Sequence, residues 1–331
     1  MTGPFTASKI NRVIVVGAGV MGEGIAQSFA EAAVEVCLVD LNPEALRRCV
    51  SQIERNLELS EAYDVIDTAA AEVAARIRTT AADRLSEELE TCDMAIETVP
   101  EILEAKRSVF ATFDGAPDRV LLASNTSSFT ISQLTEGMRT PERVVGLHYF
   151  NPAHIIPAVE IHKSAKTSQE AIAAADAIMK RTGKVPVLVR KEIPGFIINR
   201  LTGALSREID HLLDEGVVDP EDLDPAIKAS LGFRLAQIGP LEAKDFIGLD
   251  TDTRVSRNVY PQLSDRLEPS QLAQRRVAEG HLGVKSGKGI FDYSGRTRER
   301  ALHERNLKLL EQRKLYLAAQ SKEKTHEIDD L

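Results

Sequence analysis

Short, nearly continuous apolar runs alternate with helical stretches through the first half of the chain. The strand candidates are Val13–Val16, Glu35–Asp40, Asp93–Val99, Val120–Ala123, Arg143–Tyr149, Ala158–His162 and Val185–Val189. Unbroken runs of this kind suit strands covered on both faces, whereas a half-exposed strand would alternate. Helical periodicity lies between them, as in Ser168–Arg181. Strand, helix, strand in repetition predicts an α/β fold with a Rossmann-type, doubly wound, mostly parallel sheet. From Pro43 to about Arg78 the pattern is helical without a strand signal, which predicts a helical pair projecting from the sheet.

After Ile193 the strand signal ends, and Pro194-Gly195 reads as a break. Helical patterns follow at Phe196–Glu215, Pro220–Ser230, Glu242–Asp252 and around Pro269–Glu279, which predicts a smaller all-helical domain. The expected organisation is a sheet domain over 1–193, a helical domain over 194–295, and a charged C-terminal tail over 296–331. In the tail Leu302, Leu309, Leu310 and Leu317 make one thin apolar stripe, suited to a solvated or partner-packed helix.

Composition narrows the function classes. The chain has 331 residues, 43% hydrophobic and 27% charged, which is ordinary for a globular protein. A net charge of −9 and only 5% aromatics argue against nucleic acid and anionic membrane as partners. No apolar run is long enough to span a bilayer, and Met1–Ser8 lack the pattern of a secretory signal and read as a short leader. Cys37, Cys49 and Cys92 fit no metal spacing, so no metal is expected; small packing roles in a reducing, cytoplasmic setting are.

Gly17-Ala18-Gly19-Val20-Met21-Gly22 satisfies G-x-G-x-x-G directly after the first strand and opens a helix. Gly17 permits the tight turn, Gly19 lets a pyrophosphate approach the backbone, and Gly22 allows close helix–sheet packing. Asp40 ends the next strand, where a carboxylate accepts hydrogen bonds from ribose hydroxyls. Leu41 and Asn42 follow rather than a cation for a 2′-phosphate, which favours NAD over NADP. The expected cofactor contacts are Gly17, Gly19, Val20, Met21, Gly22 and Asp40, with Asn125 at a later strand end.

The cofactor motif says nothing of the substrate. His148, in His148-Tyr149-Phe150-Asn151-Pro152, closes a strand, and Glu160 lies within the next strand candidate. Adjacent strands would bring the two together as the imidazole–carboxylate pair that alcohol oxidation needs. His154 and His162 lie close by without an equally placed partner. Ser124-Asn125-Thr126-Ser127-Ser128 ends another strand and reads either as a holder of a substrate oxygen or as a polar turn capping a helix.

Together VGAGVMGEGIA, ETVPEILEAKRSVF, ASNTSS, GLHYFNP, VEI, PGFIINR and LGVKSGKGIFDY resemble the L-3-hydroxyacyl-CoA dehydrogenase family, from about Lys9 to Ser294. The resemblance implies His148 as acid/base and Glu160 as its partner. It implies that Ser127 bonds the substrate oxygen and orients His148, that Asn199 reaches toward the reacting carbonyl, and that Glu101 and Lys106 lie near the nicotinamide ribose. It further implies NAD as acceptor, bound by the domain over 1–193, 3S stereochemistry, an acyl-CoA substrate and a homodimer, with 194–295 as the substrate and dimerisation domain.

Two segments depart from that pattern. Where the family's helical pair usually offers lysines to CoA phosphates, Glu54-Arg55-Asn56-Leu57-Glu58-Leu59-Ser60-Glu61 has one Arg, three Glu and no Lys. Gly232-Phe233-Arg234-Leu235-Ala236-Gln237-Ile238-Gly239-Pro240 resembles relatives that oxidise free 3-hydroxy acids, such as gulonate and carnitine dehydrogenases, with Arg234 placed to pair with a carboxylate. The expected activity is reversible NAD-dependent oxidation of an L-3-hydroxyacyl-CoA. The alternatives are a dehydrogenase of a free 3-hydroxy acid and a non-catalytic NAD-binding structural or sensor protein.

Overall fold

The structure is a computed structural model and describes residues 10–329; the predicted leader Met1–Ser8 lies outside them. The chain divides into two compact units: residues up to Ile197 together with those from Asn306 onward, and Ile198–Arg305.

The first unit carries strands β1 (Arg12–Val16), β2 (Glu35–Asp40), β3 (Ile77–Ala81), β4 (Met94–Glu97), β5 (Leu121–Ser124), β6 (Val144–Tyr149), β7 (Ala158–His162) and β8 (Val185–Val189). They form one sheet in the order β3-β2-β1-β4-β5-β6-β7-β8. Every adjacent pair is parallel except β6 and β7. Helices α1 (Val20–Glu31), α2 (Pro43–Ala62), α3 (Ala70–Ala74), α4 (Leu85–Leu89), α5 (Leu103–Phe113), α6 (Ile131–Leu134) and α7 (Gln169–Arg181) connect them. Two apolar cores follow from the alternation of Cβ directions along the strands. Val13 and Val15 join Ile25, Phe29 and Ile178 in one, while Ile14 and Val16 join Phe110 and Phe113 in the other.

β4, β5 and β6 are buried at every position, as continuous apolar runs require, whereas the equally apolar β8, at the other sheet edge, is largely exposed. The one strand without a sequence signal is β3, Ile77-Arg78-Thr79-Thr80-Ala81. It lies at the sheet edge beside β2 and is largely exposed, so only Ile77 packs against the core and the rest has no apolar face to fill. The helical pair ahead of it is α2 and α3. Asn42 caps α2 through its side chain, and Leu46, Cys49, Ile53, Leu57, Ala70 and Val73 are buried in the core that holds α1. The pair is thus seated along its inner face, and Glu54, Arg55, Glu58 and Glu61 are exposed.

The second unit contains α8 (Ile198–Asp214), α9 (Pro220–Ile227), α10 (Phe233–Leu235), α11 (Pro240–Ile247), α12 (Leu249–Val259) and α13 (Gln271–Ala278). The pattern read as one helix over Glu242–Asp252 is two, divided at Gly248, whose φ of 92° breaks helical geometry. Asp214 ties α8 to the segment entering α13, accepting from the Arg266 guanidinium at 2.7 Å and the Gln271 backbone N–H at 3.0 Å.

The C-terminal stretch forms α14 (Arg298–Asp329). Its Leu310 is buried. Arg313 donates to the His154 carbonyl at 2.6 Å and lies 3.5 Å from Glu31, and Lys314 pairs with Asp64 at 2.8 Å. A helix read from sequence as solvated or partner-packed finds its partner in its own chain.

Candidate active site

Parallel strands point the same way, so their C-terminal ends open on one edge of the sheet. The order reverses at β1, whose neighbours β2 and β4 feed crossovers on opposite sides, and a crevice opens at that point. A cleft of about 840 Å³ lies there, lined by Gly17, Gly19, Val20, Met21, Asp40, Glu101, Asn125 and Ser127 among others.

The glycine loop suits a dinucleotide pyrophosphate. A Cβ on Gly17 would lie within 2.9 Å of Thr98, and one on Gly22 would come within 1.8 Å of the Gly17 carbonyl, whereas Gly19 faces open space. No side chain caps the N-terminus of α1, so its first-turn N–H groups remain available to an anion. Asp40 Oδ2 accepts from the Ala18 N–H at 2.7 Å and Oδ1 from the Asn42 N–H at 2.8 Å. Asp40 is therefore held against the loop while still lining the cleft.

Glu101 forms the far wall of the cleft. Its Oε1 accepts from Thr126 Oγ1 at 2.6 Å, Ser128 Oγ at 2.7 Å, and the Ser127 and Ser128 N–H groups at 3.0 and 2.8 Å. Burial alone would raise its pKa, but the hydroxyl bonds from Thr126 and Ser128 and the charge of Lys106 outweigh it and pull the carboxyl down to about 2. Lys106 is not a cleft residue. It is buried beneath the floor, with Nζ 2.9 Å from Glu97 Oε1 and 3.1 Å from Glu101 Oε2. Its expected place near a ribose gives way to a supporting one, in which it reaches the cleft only through Glu101. Glu97, passed over in the sequence, completes this cluster and also accepts from Ser124 Oγ at 2.7 Å; burial raises its carboxyl above the ordinary range.

Asn125 bridges to the next strand, its Oδ1 accepting the Tyr149 N–H at 2.9 Å. That bond fixes the end of β6, where His148 sits. The antiparallel register of β6 and β7 sets His148 directly opposite Glu160, so both side chains leave the sheet on one face. His148 Nδ1 lies 2.8 Å from Glu160 Oε2, and the two residues are 3% and 1% exposed. A carboxylate only accepts, so the ring proton sits on Nδ1 and the Nε2 lone pair is free to take a proton. Among the described residues no hydrogen bond joins Ser127 to His148; the ring is oriented by Glu160 instead.

The segment read as a break after Ile193 helps to build this pair. Gly195 and Phe196 both have positive φ, 75° and 55°. This left-handed turn seats the Phe196 ring 5.3 Å from His148 and 3.6 Å from His162, centroid to centroid. It also aims the Ile197 N–H at Glu160 Oε1, 2.9 Å away. In this motif the resemblance points to Asn199, whereas Phe196 and Ile197, three and two residues before it, carry no sequence signal of this role. His162, set aside for want of a partner, is buried with Nε2 4.0 Å from Glu160 Oε2; burial pushes it down to about 4 and keeps it neutral. Asn199, in the first turn of α8, and Arg234, on α10, are exposed in the second unit.

Comparison with known proteins agrees with these features. Residues 12–193 match the 3-hydroxyacyl-CoA dehydrogenase NAD binding domain and residues 195–293 the 3-hydroxyacyl-CoA dehydrogenase C-terminal domain. The chain belongs to the 3-hydroxyacyl-CoA dehydrogenase family and is an NAD-binding oxidoreductase. It is 34% identical over 307 residues to a 5-formyl-3-hydroxy-2-methylpyridine 4-carboxylate 5-dehydrogenase of Mesorhizobium japonicum, covering 92% of this chain and 98% of the relative. It is likewise 34% identical over 291 residues to a 3-hydroxybutyryl-CoA dehydrogenase of Bradyrhizobium diazoefficiens, covering 87% and 97%. A crystal structure of a 5-formyl-3-hydroxy-2-methylpyridine 4-carboxylic acid 5-dehydrogenase, described as an NAD+-dependent dismutase, superposes with a TM-score of 0.85. It is 32% identical and covers 93% of this chain and 98% of that one.

Proposed function

We propose that the chain catalyses reversible NAD-dependent oxidation of a hydroxyl group at the 3-position of an acyl chain, with His148 as acid/base. The observation that carries this reading is the buried 2.8 Å contact between His148 Nδ1 and Glu160 Oε2. In oxidation His148 Nε2 takes the hydroxyl proton, and Glu160 stabilises the imidazolium that results; in reduction the same atom returns the proton. Bound NAD supplies the hydride acceptor, held by the glycine loop, Asp40 and the Glu101 wall. Ser127 and Asn199 hold the substrate oxygen in this reading, which rests on the family resemblance. The presence of His148, Glu160, Ser127 and Asn199 together argues against the sensor alternative.

The first substrate reading is an L-3-hydroxyacyl-CoA, the class named for relatives such as the Bradyrhizobium enzyme. A second reading, a small free carboxylic acid, is favoured by the charge of the helical pair. Exposed Glu54, Glu58 and Glu61 on α2 would repel a CoA phosphate, and Arg55 is engaged with Ser51 and Gln52 on its own helix. The Mesorhizobium relative is named for a free pyridine carboxylate, and Arg234 is the residue that would pair with such a group. A homodimer is part of the proposal, supported by Phe233, Leu241 and Phe246, each 76% exposed in the second unit. So is a cytoplasmic setting; no described helix is long and apolar enough to cross a membrane.

The deciding experiment is NADH oxidation measured in parallel with acetoacetyl-CoA, longer 3-oxoacyl-CoAs and acetoacetate. Preference for the thioesters supports the first reading and preference for the free acid the second. NADH binding without turnover of any 3-oxo compound overturns both.

A further inference from the structure

The acid/base pair has a third neighbour that the chemistry above does not use. His162 ends β7 two residues after Glu160, and parallel spacing along a strand puts both on one face. Its Nε2 has no hydrogen-bond partner among the described residues, although the side chain is only 4% exposed. The ring is pinned rather than loose. Phe196 packs against it at 3.6 Å, and a Cβ on Gly146, on the facing strand, would lie 2.7 Å from the His162 Cβ. An unpartnered nitrogen in so fixed a place points at something the protein itself does not supply.

His148, Glu160 and His162 each offer a ligand atom, and the three atoms lie within 4.8 Å of one another. The contact from His148 to Glu160 is 2.8 Å and that from His162 to Glu160 is 4.0 Å. A tetrahedral zinc ion with bonds of about 2.0–2.1 Å holds its ligand atoms about 3.3 Å apart. With the His162 ring fixed, shifts of roughly an ångström in His148 and Glu160 bring the three atoms to that spacing. Two imidazoles and one carboxylate are the donor set of a borderline divalent cation such as Zn²⁺, not of Mg²⁺ or Ca²⁺. His162 also borders a small cavity shared with Thr130 and Glu192, whose lining residues are distinct from those of the cofactor cleft.

We propose that His148, Glu160 and His162 form a capture site for Zn²⁺ that switches the acid/base pair off. The cation takes the place of the His148 Nδ1 proton, and that proton moves to Nε2 of the same ring. No proton is lost overall, and three bonds form: from His148 Nδ1, from Glu160 Oε2 and from His162 Nε2. The fourth position is left for water. With Nε2 protonated and Nδ1 bound, the ring cannot accept the hydroxyl proton, so turnover stops while the cofactor cleft is untouched. Binding of the ion stands on the geometry alone; inhibition rests additionally on His148 being the base.

The test uses the full chain, freed of metal by a chelator and dialysed against micromolar zinc chloride. One Zn²⁺ per chain is expected to remain bound, and turnover with the best 3-oxo substrate is expected to fall in step with occupancy. In His162→Gln and His162→Leu the stoichiometric zinc is expected to be lost and the inhibitory concentration to rise on the order of tenfold or more, with thermal melts checking that both variants fold. Cobalt substitution reads the ligands in the unaltered chain: visible bands without a near-ultraviolet thiolate band are expected. Zinc content or inhibition unchanged by either variant, or a thiolate band from Cys37, Cys49 or Cys92, overturns the site. Stoichiometric zinc that His162 controls but that leaves turnover intact upholds the site and overturns His148 as the base.

Discussion

Two charge clusters sit on neighbouring strand pairs of the same sheet, and they are built to opposite ends. At β4 and β5, Lys106 lies between Glu97 and Glu101 with every oxygen engaged, and Glu101 alone collects four N–H and O–H bonds on one oxygen. At β6 and β7, His148 has one partner, Glu160, and its Nε2 is left over. The first cluster is saturated, so its charges are fixed and it shapes the cleft floor. The second leaves one atom able to exchange a proton. Burial and ion pairing are common to both; only the spare valence separates a scaffold from a reactive pair.

The largest effect expected from this contrast is on turnover. His148→Ala should lower the rate by on the order of 10²–10⁴ while NADH still binds in a fluorescence titration; near-normal turnover would remove His148 from the mechanism. Next is Lys106→Met, which leaves two carboxylates facing each other in the floor. Urea unfolding should register a loss of about 3–5 kcal/mol, with turnover per folded molecule changed far less than in His148→Ala. A reversed pattern, stable but inactive, would make Lys106 part of the chemistry and erase the distinction drawn here.

A smaller effect is the pH dependence of stability. Hydrogen bonds from Thr126 and Ser128 and the charge of Lys106, opposed by burial, hold Glu101 at about 2 in the folded chain, against about 4.3 when unfolded. The folded state therefore binds fewer protons across that window. The contribution of Glu101 is full above the unfolded value and is lost as pH falls toward 2. Acid unfolding curves of Glu101→Gln should be flatter than those of the unaltered chain between about pH 5 and 2; identical curves would deny the carboxylate its anchoring role. Smallest on an acyl-CoA enzyme, but severe on a free-acid enzyme, is Arg234→Ala. A rise in KM for acetoacetate with acetoacetyl-CoA unaffected would assign the guanidinium to a carboxylate, and no change with either would dismiss it.

Much of the first unit was legible in the chain because its signals are local. Apolar runs such as Val13–Val16 announce strands covered on both faces, and Gly17, Gly19 and Gly22 are set by backbone sterics within one turn. The edge strand Ile77–Ala81 was not legible, since an exposed edge demands no apolar pattern. Lys106 could be matched to a family position but not located: a lysine on an amphipathic helix reads as exposed until its buried partners, Glu97 and Glu101, are known. Phe196 and Ile197 were hidden for a similar reason. In sequence they follow a turn, and only the left-handed geometry at Gly195 and Phe196 swings them onto the His148 pair.

The sequence by itself determined the strand–loop–helix that receives the cofactor, because periodicity, glycine sterics and one strand-end carboxylate all act within a few dozen residues. It also marked His148 and Glu160, whose separation suits two neighbouring strands. Tertiary structure alone decided that β6 and β7 run antiparallel, which puts those two side chains opposite each other on one face. It alone decided that His162 shares their carboxylate and that Lys106 lies under the floor. Each of those outcomes depends on which distant backbones become neighbours, and no local spacing encodes that.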